Sequence, residues 1–426
     1  MQSGDVVDLD VTGVAHGGVF VARQEGLVVF VPDALPGERI RARITDVKKS
    51  FARAEALEVL DASPDRRAHV WAQADISVAP EARPGGADFG HITLTRQRAL
   101  KAQVLREAFD KFAGTSIDVA VRGPEDVLGA DHPVVRDAED GSHYRTRVSL
   151  HVDGDGRIGP FAARSHTVIP VEAHPLATPE IEEVALALRS APEGRIDLVQ
   201  PADGRVRSIR RPARTGDRRR RFAPKPERAE PETVIERVGD REFQVDAGGF
   251  WQVHRAAAAT LDRAVRDALG ELSSDAWHLD LYGGVGLFAA ALGDLAGHAR
   301  LTTVESEPRA TAHAERNLEE FGAEAVTARV DRFLSRVSSQ ASLFDREMLT
   351  RGVTLLDPPR SGAGREVVEA IADLGSSRVA YVACDPVALA RDVGYFRAAG
   401  YELSGIQAYD LFPHSHHVEA VAVLTR

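Results

Sequence analysis

From about residue 255 to the end, short apolar runs rich in β-branched residues alternate with amphipathic stretches. His278-Leu-Asp-Leu-Tyr282, Leu301-Thr-Thr-Val-Glu305, Val353-Thr-Leu-Leu-Asp357, Val379-Ala-Tyr-Val-Ala383 and Ala420-Val-Ala-Val-Leu424 read as strands. Helical patterns near 254–269, 307–321, 363–374 and 386–399 separate them. Strands that each need a helical crossover before the next one pair in parallel, with helices on both faces. Residues 251–426 are therefore read as an α/β domain. Such sheets bind ligands beyond the carboxyl ends of their strands, so the residues that end each strand are the ones to read for chemistry.

The first of these strands runs into Gly283, Gly284 and Gly286 and then an apolar helix. Glycines there let backbone N–H groups approach a ligand with no Cβ in the way. Alone, the turn is weak evidence, because glycines also serve tight packing. It lacks the Lys-Ser/Thr of a phosphate loop, and its spacing departs from G-x-G-x-x-G. The next strand ends in Glu305, 19 residues after Gly286, where a carboxylate accepts hydrogen bonds from ribose hydroxyls. Turn and acid together point to an adenosine-containing ligand. With no pyrophosphate fingerprint, S-adenosylmethionine fits better than a dinucleotide. Asp331 follows the third strand-like stretch, within reach of an adenine; the alternative is a helix N-cap before Arg332.

Leu355-Leu-Asp-Pro-Pro-Arg-Ser-Gly362 follows another strand. Two prolines freeze the chain there, so Asp357 becomes a rigidly held acid that can face a planar ring; a structural turn is the alternative. The one cysteine, Cys384, ends the next strand. A lone Cys is commonly a small buried hydrophobe, but the helix start at Pro386 favours a thiolate, and the neighbouring motifs favour a nucleophile. Asp410-Leu-Phe-Pro-His414-Ser-His-His417-Val-Glu419 precedes the last strand. His414, His416 and His417 have the composition of a metal site, yet a polar loop accounts for them, and no metal is expected. Glu419 enters an apolar strand, where an acid is costly without a partner or a task. It reads as a general base.

Residues 1–60 differ in kind. Asp5–Val11, Val19–Ala22, Leu27–Val31 and Arg39–Ile44 are short alternating strands with Gly and Pro turns between them, the pattern of a small β-barrel. Arg39, Arg41, Arg43, Lys48, Lys49 and Arg53 crowd its last half, either as a solvated face or to track phosphates. Residues 61–250 read as a central α+β domain. It opens on a Pro-, Gly- and Ala-rich excursion over 61–90. A helix over 93–112 is expected to pack on the catalytic domain. Strands at Arg147–Val152, Thr167–Val171 and Glu242–Val245 and a helix near 179–190 follow. Arg205–Arg228 carries eleven basic residues against Asp217 and Glu227, inside a chain of net charge −11. That stretch is a solvated loop or a polyanion contact. A single cysteine excludes a disulfide framework and suits a reducing cytoplasm. No apolar run approaches the ~20 residues that span a bilayer, so no membrane is expected. The first residues lack the pattern of a secretory signal.

Taken together, Phe250-Trp-Gln252-Val-His254, Asp280-Leu-Tyr-Gly-Gly-Val-Gly286, Val304-Glu305, Asp357-Pro-Pro-Arg360, Cys384-Asp-Pro386 and Asp410-Leu-Phe-Pro…His417-Val-Glu419 occur in the order seen in the RNA uracil-C5 methyltransferase family. The resemblance covers nearly the whole chain, and the barrel resembles a TRAM domain. It implies a five-stranded TRAM or OB-like barrel, the central α+β domain, and a Rossmann-like class I methyltransferase domain. It implies S-adenosylmethionine as cofactor, bound by Gln252, Asp280, Tyr282, Gly283, Gly284, Gly286, Glu305, Asp331 and Asp357. Cys384 becomes the nucleophile and Glu419 the base. Phe250, Gln252, Asp357 and Arg360 become the uracil-binding residues. The implied product is 5-methyluridine in RNA. The barrel tilts the target toward ribosomal RNA, with transfer RNA second and a catalytically silent RNA binder third. No obligate protein partner is evident.

Many relatives hold an iron–sulfur cluster on four cysteines. The matching stretch here, Ala79–Ala87, has no cysteine, and His174 stands at the fourth position. No cluster is expected, and the same fold should close by ordinary packing. The family's Phe-x-Gln-Val-Asn ends in His254, which is expected to make activity sensitive to its protonation. Gly283 replaces a usual Cys.

Overall fold

The computed structural model describes residues 1–135, 140–213 and 230–426. Five strands, β1 (Val6–Ala15), β2 (Val19–Gln24), β3 (Leu27–Val31), β4 (Arg39–Val47) and β5 (Phe51–Asp61), close a barrel in the order β1-β2-β3-β5-β4. Closure leaves no free sheet edge. The period-2 pattern sends Ile40, Ala42 and Ile44 of β4 inward, with Leu9, Phe20 and Val29. Most cations of β4 and its turn meet carboxylates: Arg41 lies 3.0 Å from Asp8 and 3.1 Å from Glu58, Arg43 3.6 Å from Glu55, and Lys48 3.2 Å from Asp46. Of the two readings of that face, this geometry favours the solvated one.

α1 (Leu94–Ala108) runs on as a π-helical turn to Ala113. Its Ala102, Leu105 and Phe109 are buried in the catalytic core. β6 (Val121–Arg122), which the sequence pattern does not announce, and the single-turn α2 (Glu125–Leu128) follow. β7 (Arg147–Val152), β8 (Ile158–Gly159), α3 (Pro179–Ala187), β9 (Gly194–Val199) and β10 (Arg207–Pro212) make a sheet of order β10-β9-β7-β8, closed by Leu150, Ile181, Ile196 and Leu198. Two expectations are corrected here. Thr167–Val171 is not a strand; Val168 makes one bridge to Phe161, and Pro170 removes a ladder donor. The start of the Arg-rich stretch is strand β10 rather than a loop, with Arg207 on Asp203 and Glu232 and Arg211 on Asp197. Residues 214–228 of that stretch lie outside the described residues. The hairpin β11 (Thr233–Val238) and β12 (Arg241–Asp246) packs Phe243 and Val245 into the catalytic core.

The C-terminal part contains α4 (Ala257–Leu269), β13 (Trp277–Leu281), α5 (Leu287–Ala296), β14 (Arg300–Glu305), α6 (Pro308–Asn317), β15 (Glu324–Thr327), α7 (Val330–Gln340), α8 (Leu343–Arg351), β16 (Val353–Leu356), α9 (Arg365–Asp373), β17 (Arg378–Ala383), α10 (Pro386–Ala398), β18 (Glu402–Tyr409) and β19 (Glu419–Thr425). The sheet order is β15-β14-β13-β16-β17-β19-β18-β6, and only β19 runs against the rest. Helices α1, α7, α9 and α10 cover one face, and α4, α5 and α6 the other. That double cover buries every residue of β13 and β16 and all of β17 after Arg378. α4 starts at Ala257 rather than His254, because His254 bridges Arg145.

Near Ala79–Ala87, Trp71, Ala74, Ala87, Tyr144 and Leu176 form an apolar cluster, and Trp71 sits 5.8 Å from His174.

Candidate active site

Strand order reverses at β13, the position where open α/β sheets leave a crevice. Tyr282, Gly284 and Gly286 take positive φ of 64°, 55° and 94°, so the chain turns sharply off β13. Gly283 has no room for a side chain: a Cβ there would lie 2.0 Å from Thr303 Oγ1 and 2.4 Å from Asp280 Oδ2. Its exchange for the usual Cys therefore goes with the packing beneath it. The Gly284 N–H donates to Glu305 Oε2 at 3.2 Å, while Glu305 Oε1 accepts from the N–H groups of Ser306 and Glu307 at 2.5 and 2.8 Å. The acid thus fixes both loops that border the crevice. Asp331 is not an N-cap. Arg329 takes that position, and Asp331 sits in the first turn of α7 with the Arg329 guanidinium on its carboxylate at 3.0 and 3.2 Å.

A groove of about 2760 Å³ runs along this edge. That is well beyond the roughly 300–1,000 Å³ of a small-molecule pocket, so it has room for more than an adenosine. Phe250, Gln252, Tyr282, Gly283, Gly284, Glu305, Asp331, Asp357, Arg360, Cys384 and Glu419 all line it. Asp280 and Gly286 do not. Asp280 is fully buried below the turn, where it accepts from Thr303 Oγ1 at 2.9 Å, and Gly286 caps α5 against Leu318. Both shape the turn from beneath. Sequence order cannot distinguish support from contact, because the whole motif is local.

The reactive groups come from adjacent strands. Asp357 follows β16, Cys384 follows β17, and Glu419 opens β19. β17 and β19 pair antiparallel with Ala383 opposite Ala420. The paired register ends there, so Cys384 and Glu419 are the next residues beyond it on two adjacent strands, and both line the groove. Glu419 is buried, and burial first, then Asp357, pushes its pKa up to about 8. Burial and then Asp280 push Asp357 up to about 7. Burial, Glu419 and Asp357 push the Cys384 thiol up to about 12, against the pull of Arg360. This corrects the expectation of a thiolate favoured by the helix start. The N-terminal helix field of α10 is already spent on Asp385, whose Oδ1 accepts from the Val387 and Ala388 N–H groups at 3.0 and 2.8 Å.

The histidines scatter. His414 is buried between Gln97 Nε2 and the Asp140 carbonyl, both at 3.1 Å. His416 Nδ1 lies 2.7 Å from Asp88, and His417 Nε2 lies 3.2 Å from Arg360. Among the described residues no group of three or more His, Cys, Asp or Glu converges as a metal site. His254 is buried, accepts from the Ala256 N–H through Nδ1 at 3.0 Å, and stacks on Tyr144. Burial drives its pKa down to about 3. It is neutral throughout the physiological range, which corrects the expected dependence on its protonation.

Residues 2–57 match the TRAM domain, and residues 237–426 match the family described as tRNA (uracil-5-)-methyltransferase. An RNA methyltransferase of Streptomyces avermitilis, itself uncharacterized, is 37% identical over 99% of this chain and 98% of its own length. The chain belongs to the RNA uracil-5 methyltransferase family. A second uncharacterized RNA methyltransferase, from Bifidobacterium longum, is 34% identical over 97% of this chain and 95% of its own. The fold is that of the Pyrococcus abyssi tRNA (uracil-54, C5)-methyltransferase, solved with S-adenosyl-L-homocysteine. That structure has a TM-score of 0.66 and 21% identity over 98% of this chain and 99% of that one. This family member is an S-adenosylmethionine-dependent enzyme with an RNA substrate. Its crevice suits the cofactor: the backbone of Gly283 and Gly284 borders it with no side chain in the way, and Tyr282 and Glu305 flank it.

Sequence reasoning missed the outer wall of the groove. Arg145, His151, Phe161 and Arg195 line it from the four-stranded sheet and its approaches, beside Arg210 and Arg211 of the Arg-rich stretch already singled out, and His151 stacks on Phe161 at 3.5 Å. The first four are scattered along the chain and share no motif, so no local signal could have grouped them.

Proposed function

We propose that the enzyme makes 5-methyluridine in RNA through a covalent Cys384 adduct, with Glu419 as base. What supports this reading is that Cys384 and the buried acid Glu419 lie just beyond the end of the β17–β19 ladder and line the same groove as the glycine turn. Uracil C5 is a poor nucleophile. Cys384 gives its proton to solvent, and addition of the resulting thiolate Sγ to C6 moves electrons through the ring and makes C5 nucleophilic, splitting one hard step into easier ones. S-adenosylmethionine, held by Tyr282, the glycine turn, Glu305 and Asp331, supplies the methyl group. Glu419 then takes the C5 proton, and Sγ leaves as the ring is restored. A Glu419 pKa of about 8 suits proton removal near neutral pH. Asp357, held by two prolines, meets the uracil edge, and exposed Phe250 with Gln252 stacks and orients a flipped base. Arg360 supplies the positive charge that favours the thiolate.

Ribosomal RNA is the first reading of the target, on the TRAM resemblance. Transfer RNA is the second, because a tRNA-modifying enzyme shares the whole-chain fold, barrel included. A cytoplasmic site of action goes with the free thiol. The test incubates enzyme and S-adenosylmethionine with separate unmodified transcripts of each RNA and reads nucleosides by mass spectrometry. Parallel transcripts carry 5-fluorouridine, which blocks proton loss and traps the adduct. Methylation in one pool with a Cys384-dependent adduct supports the proposal. Methylation that survives Cys384→Ala removes the covalent step, and methylation of neither pool removes the proposed substrates.

A further inference from the structure

The barrel reaches the catalytic loops through one turn. Between β1 and β2, His16 Nε2 lies 2.9 Å from Asp385 Oδ2. Asp385 is the residue after Cys384, and its other oxygen caps α10 through the Val387 and Ala388 N–H groups. One carboxylate therefore holds both the helix start behind the nucleophile and the barrel turn. Two residues on, Gly18 has φ +73° and faces the His416 ring so closely that a Cβ would sit 2.9 Å from it. His416 Nδ1 lies 2.7 Å from Asp88, and the ring tilts against His417 at 4.1 Å. His417 lies two residues before Glu419 and against Arg360. Ala15, His16 and Gly17 wall a narrow crevice whose opposite side is Cys384, Asp385, His416 and His417.

We propose that the β1–β2 turn is a strut that sets the Cys384–Glu419 geometry, with His16 as a positioning residue. The barrel then contributes to the chemical step as well as to RNA affinity. The ion pair is half-exposed, with side chains 46% and 21% accessible, so its removal should leave the fold intact. A strut and an RNA contact predict different kinetics. Losing a contact to bound RNA raises KM, whereas losing alignment lowers kcat.

The catalytic consequence rests on the reading of Cys384 and Glu419 above, so the test has one arm independent of it. In hydrogen exchange on the full chain, His16→Ala should raise exchange of the peptide spanning 384–390, with a melting temperature within about a degree of wild type. Exchange there unchanged from wild type would falsify the strut. In the second arm, single-turnover adduct formation with 5-fluorouridine transcripts should slow by about tenfold to a hundredfold in His16→Ala, with RNA KM within about twofold. His16→Gln, which keeps a neutral hydrogen bond, should recover most of the rate. A rise in KM alone, or equal rates for Ala and Gln at wild-type level, overturns the positioning role. Wild type that forms no adduct overturns the covalent reading instead, while the exchange arm still decides the strut.

Discussion

The outer face of the barrel and the floor of the groove treat charge in opposite ways. On the barrel, Arg41 and Arg43 face Asp8, Glu58 and Glu55 from neighbouring strands. These pairs are exposed and close, and they leave little field to attract a partner. In the groove, Asp357, Glu419 and Cys384 crowd one edge with Arg360 as the cation acting on both Glu419 and the thiol. Burial makes each harder to ionise. Such an arrangement costs stability and is retained where chemistry needs it. Basic residues in a sequence therefore mark an RNA surface less reliably than acids buried without compensation mark a reaction centre.

The largest effect expected from this contrast is on the nucleophile. Cys384→Ala should lower 5-methyluridine formation by on the order of 10⁴-fold or more and abolish the 5-fluorouridine adduct on denaturing gels. Glu419→Gln should cost about 10²–10⁴-fold in turnover. Its signature differs from that of a folding defect: the adduct should accumulate on ordinary uridine, because the step lost is proton removal. A variant that neither turns over nor accumulates adduct would move Glu419 out of the base role.

The pH dependence should be asymmetric between the two regions. The base acts ionised and after methyl transfer, so the rate at which the methylated adduct breaks down should climb with pH and level off above about 8. Stability runs the other way. Folding favours protonated Glu419, an advantage fully present below its ordinary value of 4.5 and lost as pH rises through about 8. Glu419→Gln should accordingly raise the melting temperature above pH 8 by about a degree or two while removing the alkaline rise in rate. A melting temperature lower than wild type at pH 9 would contradict the buried, uncompensated acid. The smallest effect belongs to the outer face of the barrel. Arg41→Ala with Arg43→Ala should change RNA KM by less than about twofold and leave its salt slope nearly unaltered. A large rise would show that their carboxylate partners give way to phosphates, and the contrast drawn here would fail.

Much of this was legible in the chain. The alternation after residue 255 determined the parallel sheet, because strands buried on both faces must be apolar and helices between them amphipathic. The Gly283–Gly286 turn with Glu305, the Asp357-Pro-Pro turn and Cys384 were legible for a related reason: in this topology each strand ends at the ligand edge, so position in sequence implies position in space. The small barrel followed from period-2 alternation and its Gly and Pro turns, but β5 was not read from the pattern, and the count of five strands came only from the family resemblance. Short elements held by partners far away were not legible. β6 has only two residues, and nothing marks it as a strand except β18, which it pairs with nearly three hundred residues later.

Tertiary structure alone decided which motif residues touch the groove and which support it. Asp280 and Glu305 are both acids at strand ends, yet one is buried under a glycine and the other borders the crevice. It alone decided that Cys384 and Glu419, 35 residues apart, come to line one groove from adjacent strands. It also decided that His254 is buried and held neutral and that the turn near residue 16 meets Asp385 and lies against His416. The physical reason is common to all four. Periodicity and turn chemistry are local and are written in consecutive residues, whereas burial, pKa and cross-strand contact depend on which distant segments come to lie alongside.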